Sequence, residues 1–141
     1  MLEIRKPRSG AEWEEFFEMR YDLLHKYIGI PKGDAKIEKN RLVLIAVDGK
    51  KIVGTGSLTV EGKKGHIHYV AVKRTARGKK VGSKIVKKLE QMASKKNLKK
   101  LYVNSRKPAK KFYKVLGYEV KGDYFKHKKI GTLHIRMEKI L

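Results

Sequence analysis

The chain has 141 residues, 36 of them Lys or Arg against 14 Asp or Glu, so its formal net charge is +22. It has no cysteine, which excludes a disulfide framework and thiolate metal sites, and fits a reducing, cytoplasmic setting. No run of about 18 apolar residues is present, and Met1 to Arg5 opens no apolar leader, so neither a membrane span nor a secretory signal is expected.

The length fits one domain, and no repeat or linker divides it, so residues 1–141 are expected to fold as a unit. Leu2 to Lys6 reads as a first strand. Ser9 and Glu12 then match a capping box, with Glu12 reaching back to the helix start. Trp13, Phe16, Phe17, Leu23, Leu24 and Tyr27 follow at helical spacing, and Gly29 with Pro31 ends the helix. Arg41 to Val47 is β-rich, Asp48-Gly49 is a hairpin signal, and Ile52 to Val60 is the returning strand. After a turn framed by Gly62 and Gly65, His66 to Val72 is the next strand.

Val81, Ile85, Leu89 and Met92 recur at intervals of four, four and three, which predicts an amphipathic helix with lysines on its outer face. Leu101 to Val103 is a short strand. Ala109, Phe112, Tyr113 and Leu116 share a helical face, and Gly117 stops it. Tyr118 to Phe125 and Leu133 to Ile140 close the chain as a hairpin around Gly131. The order β-α-β-β-β-α-β-α-β-β implies an α/β fold with a mixed sheet and at least one parallel crossover.

The charge is uneven. Residues 1–62 carry 11 basic and 10 acidic side chains, whereas residues 63–141 carry 25 and 4. A polyanionic partner for the second half is one reading and solvated surface lysine is the other. The junction Val70-Ala71-Val72-Lys73-Arg74-Thr75-Ala76-Arg77-Gly78-Lys79-Lys80-Val81-Gly82-Ser83 narrows the choice. A strand ends, a basic loop with glycines follows, and a helix begins. Free backbone N–H groups and the positive end of the helix dipole then converge on one point, where phosphate binds well.

Two segments resemble the GNAT acetyltransferases. Arg77, Val81 and Gly82 match the family's R/Q-x-x-G-x-G/A signature, with Lys80 where the middle glycine is usual. Asn104-Ser105-Arg106 through Ala109, Phe112-Tyr113 and Gly117-Tyr118 matches its N-[AS]-R-x-x-A-x-x-F-Y-x-x-x-G-[FY] segment. The resemblance covers about residues 41–141, with the first 40 matching only in pattern.

It implies an enzyme that binds acetyl-CoA and acetylates a primary amine in a ternary complex. Backbone groups of Val70, Ala71 and Val72 would pair with the pantetheine arm, and Arg77, Gly78, Lys79, Lys80, Val81, Gly82 and Ser83 would cradle the pyrophosphate. Val70 N–H would meet the oxyanion. Tyr113 stands where many members place the acid for the leaving thiolate, and a phenol of pKa ~10 suits that task. Its other reading is packing alone. Asn104 would bond the pantetheine or pin the strands.

His66 and His68 share a strand face and are the base candidates. Some members use a similar His-x-His pair to relay the proton, and others place a glutamate base at the position of His66. The same pair could simply be half-buried histidines bonded to backbone. No third ligand is evident, so no metal is expected. The acceptor could be a small molecule or a protein amine, and an acidic one suits the charge. Relatives often dimerise, so a homodimer is one option. A basic module that binds nucleic acid on the same fold is the alternative function.

Overall fold

The computed structural model describes residues 1–25, 41–127 and 131–141. The expected helix end at Tyr27, Gly29 and Pro31 lies outside them. The first strand, β1 (Leu2–Arg5), leads into α1 (Gly10–Arg20), which continues as one π turn over Tyr21–His25. Three strands follow: β2 (Arg41–Asp48), β3 (Lys51–Glu61) and β4 (Lys64–Val72). A 3-10 turn at Arg74–Ala76 then precedes α2 (Val81–Lys95). Next come β5 (Lys100–Arg106), a second 3-10 turn at Lys107–Ala109, and α3 (Lys110–Val115). The chain closes with β6 (Glu119–Val120), β7 (Phe125–Lys126) and β8 (Leu133–Ile140).

One eight-stranded sheet results, in the order β1-β2-β3-β4-β5-β8-β6, with β7 also on β8. Its pairs are antiparallel except β4 with β5, the crossover through α2. The element order and the mixed sheet therefore match the sequence pattern. The expected strand 118–125 does not form as one piece. Gly122 takes φ +89 and breaks it into β6 and β7, while Tyr118 turns inward and is 2% exposed. Tyr118 N–H donates to Tyr113 O and Gly117 N–H to Lys114 O, which is the Schellman end expected of Gly117.

The capping box is half realised. Ser9 Oγ accepts from Glu12 N–H at 3.2 Å, but the Glu12 carboxylate accepts from Arg8 N–H and from both terminal nitrogens of Arg5. That bidentate guanidinium holds the Glu12 carboxyl down at about 2.

The sheet is apolar on both faces because residues alternate along each strand. Phe16 and Met19 of α1 pack on Val43, Ile45, Val47 and Ile52. On the other face Ile85, Val86, Leu89 and Ala93 of α2 pack on Leu44, Leu58, Ile67 and Leu101. Each such buried aliphatic contributes roughly 1.5–3 kcal/mol. α2 lies close because β3 presents glycine beneath it. A Cβ at Gly56 would stand 2.5 Å from Ile85 Cγ2.

Gly56→Ala should therefore cost about 1–3 kcal/mol in urea unfolding. Ile85→Leu, which lacks that branch methyl, should recover part of the loss in the double variant. Additive losses would show that the two residues do not clash.

Candidate active site

The site begins where two strands part. β4 pairs with β5 only from Lys64↔Lys100 to Ile67↔Val103. Beyond Ile67, β4 turns on a bulge: Ser57 pairs with His68 and Thr55 with Ala71, so Tyr69 and Val70 together face Gly56. Tyr69 adopts φ +53, a left-handed conformation. Ser57 Oγ donates to His68 O at 3.0 Å, which pins the strand just before the bulge. Beyond this point the β4–β5 register has ended.

The loop after β4 feeds α2 through two further left-handed residues. Gly78 has φ +87 and Lys80, the N-cap of α2, has φ 59 and ψ 28. No side chain caps this helix, so its first N–H groups are left for a ligand. They open on a cavity of about 380 Å³ lined by Val72, Ala76 and Arg77 of the loop side and by Lys80, Gly82 and Ser83 of the helix start. Gly78, Val81 and Phe112 complete the wall. A Cβ on Gly82 would stand 3.2 Å from the Phe112 ring, a tight contact that the ring would have to yield to.

Most residues expected in the cradle meet here. Lys79 does not line the cavity; its ammonium stands 3.9 Å from Asp48. Val70 and Ala71 lie further back along β4 beside the bulge. Asn104 is half-buried on β5, opposite Arg136 of β8. Tyr113 is buried beneath Phe112, edge-on to its ring at 4.9 Å and to Tyr118 at 5.6 Å. Burial pushes its phenol well above the ordinary value, with the Arg106 charge opposing. The group therefore keeps its proton throughout the neutral range and is a weaker acid than a free phenol. Phe112, its neighbour, is the side chain that meets the cavity.

The opposite face of β4 carries the histidines. The rings of His66 and His68 lie 3.7 Å apart, and Tyr102 of β5 stacks on His66 at 4.2 Å. Tyr69 continues the column at 5.7 Å from His68. Guanidinium groups cover its ends, Arg20 at 3.7 Å over Tyr69 and Arg136 at 3.9 Å over Tyr102. Burial, then the charges of His66, Arg41 and Arg20, lower His68 to about 3. His68 is thus neutral at physiological pH. Arg20, Tyr69 and Tyr102 gave no signal in the sequence, because only the sheet register brings them to the histidines.

Two tests follow from this geometry. An L-residue in the left-handed region costs about 1–2 kcal/mol, partly offset by glycine's looser unfolded chain. Lys80→Gly should therefore raise stability by up to about 1 kcal/mol, and Lys80→Val should lower it, both read by urea unfolding. The second test concerns acid. Between pH ~6.5 and about 3 the unfolded chain protonates His68 and the folded one does not. This site's effect on stability is thus constant above that window and unfavourable as pH falls through it. Between pH 7 and 5 the melting temperature of His68→Gln should fall less than that of the parent protein.

Comparison with known proteins agrees with this architecture. A family model described as an acetyltransferase (GNAT) domain matches residues 10–141. Glucosamine 6-phosphate N-acetyltransferase 1 of Dictyostelium discoideum is 35% identical over 89 residues, which is 57% of this chain and 57% of that protein. An aminoglycoside 6'-N-acetyltransferase solved with coenzyme A superposes with a TM-score of 0.82, at 15% identity over 99% of this chain and 96% of that one. The PaiA N-acetyltransferase of Thermoplasma acidophilum, also solved with coenzyme A, gives 0.81 at 19% identity over 100% and 99%. The family model spans the parted strands, the basic loop and both later helices, and the chain belongs to the GNAT acetyltransferase family.

Proposed function

We propose that residues 1–141 form one domain that transfers an acetyl group from acetyl-CoA to a primary amine by direct attack in a ternary complex. The observation that carries this reading is the meeting of two features. The β4 bulge opens the sheet, and the uncapped start of α2 faces a cavity beside it. Their residues fit coenzyme A: left-handed backbone at Gly78 and Lys80, a bare Gly82, and the cations Arg77 and Lys80 at a helix N-terminus. The pyrophosphate would lie against the N–H groups of Gly78 to Ser83, and the pantetheine arm against Val70 to Val72 with Asn104 opposite.

Bound acetyl-CoA supplies the activated acyl thioester. The Val70 N–H, beside the bulge, donates to the carbonyl oxygen as negative charge grows on it. His68 and His66 accept the proton that an ammonium must lose before it can attack. Tyr113, held neutral by burial, keeps a proton for the departing sulfur. Arg20, Arg41 and Arg136 make the histidine face cationic, which favours an acceptor that carries a negative group. The sugar phosphate in the relative's name is of that chemical kind. The nucleic-acid reading makes no use of the parted strands or the histidine column.

Calorimetric titration with coenzyme A at modest ionic strength should show binding. A screen of amines with acetyl-CoA, followed by free-thiol release, should favour phosphorylated or carboxylated amines over polyamines. Tyr113→Phe should lower turnover roughly 100-fold with little change in coenzyme affinity. An unchanged rate would remove the acid role, and an absence of heat would remove the enzyme reading.

A further inference from the structure

A second cavity, of about 440 Å³, lies at the other end of β4 from the α2 junction. Four lysines line it (Lys63, Lys64, Lys99 and Lys100) together with Ile140 and one carboxylate, Glu61. Glu61 is the last residue of β3 and pairs with Lys64 across the hairpin. Its two oxygens accept the Tyr102 hydroxyl at 2.8 and 2.9 Å, and one stands 3.7 Å from His66 Nδ1. The His66 side chain is 16% exposed and that of Glu61 36%, so the carboxylate sits at the boundary with solvent. A line of proton-carrying groups therefore runs along one sheet face, from His68 at the bulge, through His66, to Glu61 at a cavity mouth.

We propose that this line is a proton outlet: His68 and His66 take the proton shed by the acceptor ammonium, and Glu61, held by Tyr102, passes it to solvent through the lysine-lined cavity. The inference rests on the acetyl-transfer reading above. An ammonium N–H bond breaks and an imidazole N–H forms. The imidazolium gives that proton to the Glu61 carboxylate, whose O–H then yields it to water. The freed lone pair forms the C–N bond, the C–S bond breaks, and the second amine proton ends on sulfur. One proton leaves per turnover.

The charges around the pair favour such an outlet. Two imidazoles 3.7 Å apart hold one proton between them, because a second would meet like charge. Arg20 from α1, Arg41 from β2, Arg136 from β8 and Lys64 from β4 itself all face the aromatic column as cations. Glu138 of β8 is engaged by Arg136 at 2.8 Å and Lys100 at 3.3 Å. Glu61 is thus the carboxylate beside His66 on this face, and it lies on the wall of a cavity. Burial and the bond to Glu61 push the Tyr102 phenol up to about 12, so it remains a donor that positions the carboxylate and does not compete for the proton.

Glu61→Gln keeps the shape and removes the charge. In the free protein, the imidazole NMR signals of His66 should titrate about one unit lower in this variant. With the best amine from the screen, thiol release at pH 7 should fall about tenfold, and the acid limb of the rate profile should move to lower pH with the His66 titration. Added imidazole buffer should restore the rate in the variant and leave the parent unchanged. Tyr102→Phe should shift both readouts in the same direction by less, and it serves alone if Glu61→Gln does not fold. A parent enzyme that turns over beside variants with unmoved profiles overturns the outlet and leaves the acetyltransferase standing. A parent that releases no thiol with any amine overturns both.

Discussion

Everything at this site depends on β4 losing its neighbour after Ile67. Up to that residue the strand is bonded on both sides, to β3 and to β5. Beyond it, β5 keeps its pairing with β8, which runs from Lys100 to Arg106, while β4 turns on its bulge. A strand in mid-sheet has no spare donors, because the ladders consume them. Parting the ladder is what frees N–H groups without exposing them at a sheet edge. The left-handed Tyr69 is the local strain of this arrangement, and the guanidinium of Arg20, 3.7 Å above its ring, packs that residue in place. Strain and freed donors therefore occur at one point, between the coenzyme side and the histidine side.

The second half of the chain supplies the electrostatics. It holds four acidic residues: Glu90, Glu119, Asp123 and Glu138. Two of these are committed to structure. Glu90 accepts from Tyr118 and Lys139, and Glu138 from Lys100 and Arg136. Around the α2 junction Lys79 pairs with Asp48, and the density of the other basic side chains there suits a ligand with several phosphate charges. His68 is kept neutral from elsewhere, by burial first and then by the charges of His66, Arg41 and Arg20, so its lone pair carries no proton at physiological pH.

Local signals carried the fold. The four-four-three spacing of Val81, Ile85, Leu89 and Met92 marks α2, and Asp48-Gly49 marks the β2–β3 turn. These patterns reflect burial and turn geometry within a few residues, so sequence alone displays them. Gly122 misled, since an isolated glycine in a β-rich run marks either a bulge or a break, and here it breaks the strand. The loop of the cradle was legible for the same local reason. Tyr102 and Glu61 were not. Tyr102 meets His66 only through the parallel register of β4 with β5, and Glu61 reaches both through the hairpin at Gly62. Phe112 was passed over for Tyr113 because motif spacing ranks the hydroxyl, whereas the helix aims the phenyl ring at Gly82.

Lys80 shows how the coenzyme turn balances conformation against charge. Glycine would adopt its left-handed backbone without strain. Lysine there costs about 1–2 kcal/mol of backbone energy. It also places an ammonium-bearing chain on the wall of the cavity, at the positive end of α2. A cation that close to a bound diphosphate acts in both the free enzyme's field and the complex, whereas the strain is present in both states and cancels from the binding equilibrium. Stability and affinity are thereby decoupled at this position: the fold carries the cost, and the ligand receives the charge.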